Sequence, residues 1–218
     1  MFYGAAEFSR DTDLAILADD SNLRRLKCAL EELQAGLIAV PPFEMKYLRK
    51  GHAIHFRCTH PEAYRMRVDI MSKMRGVAPF SLLWKRRWTI RMPDGQKCDI
   101  MGIADLICAK KTQRDKDWPM IRRLVEAHYF QNIHQPTAPQ MKFWFQELRT
   151  PELLAQLASF KPALCRRIIP QRPLLTHALS GKLARLEAAL AREELIERKK
   201  DRVYWLPLRR ELEKLRHG

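Results

Sequence analysis

The stretch Asp11-Thr12-Asp13-Leu14-Ala15-Ile16-Leu17 constrains this chain more than any other: two carboxylates, two residues apart, open an apolar run. As a strand from Asp13 to Leu17, the run sends side chains at i and i+2 out of one face, so Asp11 and Asp13 project together from its edge. Two like charges that close repel one another, and a bound cation relieves the repulsion. Mg²⁺ suits that role because it takes one or two carboxylates and leaves its other positions to water and substrate phosphates. Aspartates ahead of a strand are also ordinary turn residues. The pair therefore gains its meaning from the rest of the chain.

A helix comes directly after the acidic strand. Ser21 is a candidate N-cap for a helix over Asn22 to Ala35, with Leu23, Leu26, Leu30 and Leu33 on one face and Gly36 as its stop. Pro41-Pro42 marks a loop. Two strands are expected next, Ala53 to Cys58 and Arg65 to Met71, separated by Thr59-His60-Pro61-Glu62. In the second, Asp69 shares a face with Arg67 and Met71, away from Val68 and Ile70. His52, His55, Cys58 and His60 invite a zinc reading, but their spacing fits no structural zinc pattern, and packing roles are the simpler account.

Strands Trp84 to Met92 and Gln96 to Met101 flank the turn Pro93-Asp94-Gly95, and Asp99 is a rival to Asp69 as an acid within an apolar strand. Helices over Ile103 to Lys111 and Trp118 to Tyr129 come next, the second with His128 as a packing residue on its apolar face. Beyond Asn132-to-Pro139 the pattern turns wholly helical: Gln140 to Arg149, Pro151 to Phe160, Gly181 to Lys200 and Pro207 to His217. The reading is thus α+β over residues 1–131, a mixed sheet flanked by helices, with a helical C-terminal appendage over 132–218 that forms one wall of a cleft.

Composition narrows the partners. A formal net charge of +15 over 218 residues favours polyanions: nucleic acid, nucleotide phosphates or an acidic protein. The basic run Arg198 to Arg210, with Tyr204 and Trp205 interleaved, could hold single-stranded nucleic acid. With Glu211 and Glu213 close by, a solvated helical tail is the alternative. Five cysteines without a CxxC pair point to a reduced, cytoplasmic protein, and the apolar runs are too short for a membrane span.

Taken in order, an acid pair at a strand end, a helix, a later strand with a third acid, then a helix with a lysine and an Arg-x-Lys-Asp segment resemble the nucleotidyltransferase superfamily of the polymerase-beta type, close to small bacterial abortive-infection toxins. The resemblance covers about Tyr3 to Tyr129. It implies a nucleotidyltransferase-like sheet, with Asp11, Asp13 and Asp69 as ligands of Mg²⁺ (or Mn²⁺) and Asp69 as the base for an acceptor hydroxyl. It implies Lys110 as a catalytic, phosphate-facing lysine, with Lys111 also eligible, and Ser9, Arg114 and Asp117 as substrate-binding residues. Asp117 could instead be a plain helix N-terminal acid favoured by the dipole. The implied activity moves a nucleoside monophosphate from an NTP to a hydroxyl on RNA or protein, with an antitoxin or toxin protein as a further partner.

The chain departs from the family pattern in three places, one of them the spacing between the lysine and Asp117 that leaves Lys110 and Lys111 both eligible. The upstream Gly-Gly or Gly-Ser segment would lie ahead of Met1, and Glu7 stands where an arginine is frequent. Two other readings therefore stand beside the enzyme: a catalytically degenerate regulatory module of a toxin–antitoxin type, and a basic nucleic-acid-binding protein.

Overall fold

A computed structural model describes residues 11–217 and is α+β. The chain divides into two compact units, one of residues 11–109 with 203–217 and one helical unit, Lys110–Arg202. The boundary expected at 131/132 falls instead at the end of a helix inside the second unit.

The first unit is built on a four-stranded sheet of order β1-β4-β3-β2, with β1 Asp11–Ala15, β2 Ala35–Leu37, β3 Ile54–Cys58 and β4 Arg67–Met71. β1 runs parallel to β4, and the other two pairings are antiparallel. Helices α1 (Asp20–Glu32) and α2 (Met45–Lys50) lie between the strands in sequence. Leu23 and Leu30 of α1 and Leu48 of α2 pack with Ile16, Ile54, Phe56, Cys58, Val68 and Ile70 in one buried cluster. The alternation of β3 and β4 thus sends apolar residues to one face and His55, Arg67 and Asp69 to the other.

Three local differences from the sequence reading have clear causes. The cap of α1 is Asp19, whose Oδ1 accepts from the Asn22 amide at 2.7 Å, so the helix starts before Ser21. Its exit is made by Gln34, which takes the left-handed conformation (φ 48), leaving Gly36 free to join β2. The expected strand from Trp84 splits into α3 (Phe80–Arg86) and β5 (Trp88–Arg91), since Leu83 is buried and Phe80 stacks on Trp84. β5 pairs with β6 (Lys97–Ile100) as a separate hairpin, and α4 spans Ile103–Lys110.

The helical unit contains α5 (Asp117–Asn132), α6 (Ala138–Glu147), α7 (Pro151–Phe160), α8 (Pro162–Ile168) and α9 (Leu175–Leu179). The last two are too short to show a helical period. His128 packs on α6, where its Nδ1 lies 2.9 Å from the Trp144 indole nitrogen. The two C-terminal helices expected from the sequence are one, α10 (Leu183–His217), with Pro207 inside it. Proline removes one helical hydrogen bond. Here the loss falls on an exposed stretch, Val203 and Leu206 both facing solvent.

The unit is tied by a charged knot. Arg172, 5% exposed, bonds Glu193 through two nitrogens (3.0 and 2.8 Å) and the Phe145 carbonyl at 2.9 Å, while Arg149 reaches Glu193 at 3.3 Å. Burial opposes charge on Glu193, but the hydrogen bonds and charges of the arginines outweigh it and hold its carboxyl below the usual range. Removing one partner of such a group leaves charge uncompensated, at about 3 kcal/mol. Glu193→Gln should therefore lower stability by about that much near neutral pH in denaturant unfolding. A carboxyl with a depressed pKa stabilises above its unfolded-state pKa and loses that contribution as pH falls through the folded one. The gap between parent and variant should close in acid.

Candidate functional site: an acidic sheet face

Register decides which acids meet. In the parallel pair β1–β4, Asp11 stands opposite Arg67 and Asp13 opposite Asp69. Partners in register share a face, and neighbouring strands are about 4.8 Å apart. Asp11, Asp13 and Asp69 therefore lie on one face, with β1 an edge strand among the described residues. The antiparallel neighbour adds His55 opposite Asp69 and Arg57 opposite Arg67. Asp99 belongs to the separate hairpin, where it accepts from Thr89 and pairs with Arg87 at 3.1 Å.

Asp69 is the centre of the face. Its Oδ1 accepts from Arg67 Nε at 2.7 Å and lies 2.8 Å from His55 Nδ1, while Arg67 also reaches that ring nitrogen at 3.1 Å. The bond to Asp69, opposed by some desolvation, and the fields of Asp69, Asp11 and Asp13 push the Arg67 guanidinium further towards its charged form. A cation supplied by the chain thus already pairs with one of the three acids and lies in the field of the other two.

The carboxylates are hard oxygen donors of the kind Mg²⁺ or Mn²⁺ takes, and Asp13 and Asp69 are neighbours on one face. By donor chemistry and register they fit a divalent cation. In side-chain orientation Asp69 is turned to Arg67 and His55, and among the described residues no three His, Cys, Asp or Glu side chains are gathered to hold a metal. Both of those contacts fall on Oδ1, and a cation bound at Asp69 would share the carboxylate with Arg67 or displace it.

The other candidates lie in the helical unit, apart from Ser9, which is outside the described residues. Lys111 pairs with Glu147 at 2.7 Å, whereas Lys110 has no ion-pair partner among the described residues. Asp117, buried, accepts from Arg114 Nε at 2.8 Å and from Thr112. It is also the first residue of α5, so the bond to Arg114 and the helix N-terminal place hold together. The turn carrying these residues is fastened by Asp201, which accepts from the Gln113 amide at 2.9 Å.

The basic C-terminal run is partly engaged, while Lys199, Arg202, Arg209 and Arg210 are exposed. Arg198 is engaged with Asp115 and Glu194. Gly51 (φ +111) has no room for a Cβ, which would stand 2.5 Å from the Tyr204 hydroxyl, so that ring packs on the end of α2. Glu211 also anchors there, to Lys50 and to His52 at 2.8 Å. Among the described residues no helix is long and apolar enough to cross a membrane. Comparison with protein-family models, with curated proteins and with solved structures found no match.

Sequence reasoning placed Arg67 on the face of Asp69 but did not give it a role, and it missed His55 as a cross-strand partner. The signal present was the i, i+2 spacing in Arg67-Val68-Asp69. If Arg67 is the resident counter-charge, Arg67→Gln should lower the melting temperature, and Mg²⁺ should stabilise this variant more than the parent. Differential scanning calorimetry with and without the ion measures both effects.

Proposed function

We propose that this chain is a metal-dependent nucleotidyltransferase that moves a nucleoside monophosphate from an NTP to a hydroxyl on RNA or protein. The observation that carries the reading is the shared face of Asp11, Asp13 and Asp69, with Asp13 and Asp69 in register on parallel strands. Phosphoryl transfer asks the protein mainly for positioning and charge neutralisation, which such a face provides. Asp11, Asp13 and Asp69 would hold Mg²⁺ or Mn²⁺, which when bound supplies Lewis-acid polarisation of the phosphate and offsets its charge.

The chain's own residues do the rest. Asp69 takes the proton of the acceptor hydroxyl as its oxygen bonds the α-phosphorus, the bond to the bridging oxygen breaks and pyrophosphate leaves. His55, 2.8 Å from Asp69 and partly open to solvent, holds the carboxylate in place. The resemblance gives Lys110 and Arg114 the phosphate-facing positive charges. Lys110 acts as a point charge, and Arg114 is a fork held by Asp117.

One observation favours the second reading, a degenerate regulatory module of a toxin–antitoxin type: Asp69 is already bonded to Arg67. Labelled NTPs with Mg²⁺ or Mn²⁺ and total RNA or lysate distinguish the two. The enzyme transfers label, and Asp69→Asn reduces the rate by about 10²–10⁴-fold, as expected for loss of a general base. Thermal stabilisation by NTP and metal without any label transfer would establish the regulatory module instead. No stabilisation and no transfer would sink both.

A further inference from the structure

The helical unit contains a groove of about 520 Å³ between the turn after α8 and the first half of α10. Its walls bring Arg172, Arg185, Arg192 and Lys200 against two carboxylates, Glu193 and Glu197, with His177 alongside. Both carboxylates are engaged by the protein itself. Glu193 is held by Arg172 and Arg149, and Glu197 pairs with Lys200 at 2.8 Å. Arg185 and Arg192 are exposed and have no carboxylate partner among the described residues.

From this arrangement we infer that the groove binds the phosphodiester backbone of a nucleic acid, independently of sequence. Arg185 and Arg192 are seven residues apart on one helix, about 10 Å along its axis. Two exposed guanidinium groups so spaced on one helix can each take a successive phosphate of a chain, and a partner with repeated negative charge uses both at once. The guanidinium fork matches phosphate oxygens two at a time. The lining also includes Ala188, Ala189 and Ile196, small or apolar, and no Phe, Tyr or Trp on which to stack a base. It gives a sugar–phosphate chain room to lie without reading it. The formal charge of +15 draws such a polyanion in. This inference does not depend on nucleotidyl transfer.

The test is fluorescence anisotropy of a labelled oligouridylate with the full chain, as a function of salt. Arg185→Gln with Arg192→Gln is compared with a control of equal charge loss, Arg24→Gln with Arg25→Gln, on the exposed side of α1. The groove variant should bind on the order of tenfold more weakly, and its log–log salt slope should fall by about 0.7 per arginine lost. The control should keep the parent slope. All four arginines are exposed, and circular dichroism checks that both variants are folded. Equal weakening in the two variants would overturn the site in favour of diffuse charge. So would a parent that fails to bind at low salt. Complete competition by tripolyphosphate would reassign the groove to a small anion, and equal competition by polyglutamate to an acidic protein; either result overturns the proposal.

Discussion

The parallel pairing of β1 with β4 is the constraint on which the sheet-bearing unit depends. Parallel strands cannot be joined by a tight turn. The chain between Ala15 and Arg67 must leave the sheet and return, and on the way it lays down α1, β2, α2 and β3. That excursion supplies the apolar cover for one face, through Leu23, Leu30 and Leu48. The other face receives the charges. A slip of one residue in the β1–β4 register would place Asp13 beside Val68 or Ile70 and would exchange the two faces of β1. The burial of Ile16 with the core cluster pins the register, so an apolar contact fixes where the acids stand.

With the acids so placed, their charge has to be answered. Arg67 is on the same strand as Asp69, two residues away, and so on the same face by the strand's own period. The guanidinium bonds one carboxylate and feels the other two. His55 joins from the third strand because antiparallel pairing sets it opposite Asp69. Three strands thus contribute to one charged cluster, although no two of its contributors from different strands are close in sequence.

This explains which parts were legible in the sequence. The period of two in Arg67-Val68-Asp69-Ile70 and the leucine spacing of α1 are local signals, and they give the strand, the helix and the buried face. Where the chain chose among near-equal local options, the pattern misled. Asp19 caps α1 in place of Ser21 because its carboxylate reaches the Asn22 amide, and Gln34 takes the left-handed turn in place of Gly36. α8 and α9 are defined by burial of Cys165, Ile168, Leu175 and Ala178 rather than by any run long enough to show a period. The continuity of α10 through Pro207 was hidden because proline ordinarily ends a helix, and an exposed helix tolerates the lost bond. Cross-strand partners such as His55 need the register, which one sequence does not contain.

The two charged clusters also differ in what their surroundings allow. In the knot of the helical unit Arg172 is 5% exposed and also bonded to a main-chain carbonyl, so releasing Glu193 would strand a buried cation. The Arg67 side chain is 37% exposed, and a pair with one solvated partner is held by little net energy. Water can take over the guanidinium if it swings out, and Asp69 keeps His55 as a partner at 2.8 Å while it does so. The carboxylate is therefore never left bare in the exchange. The acidic face is thus answered by an arginine that water can reach, whereas the buried knot is closed to it.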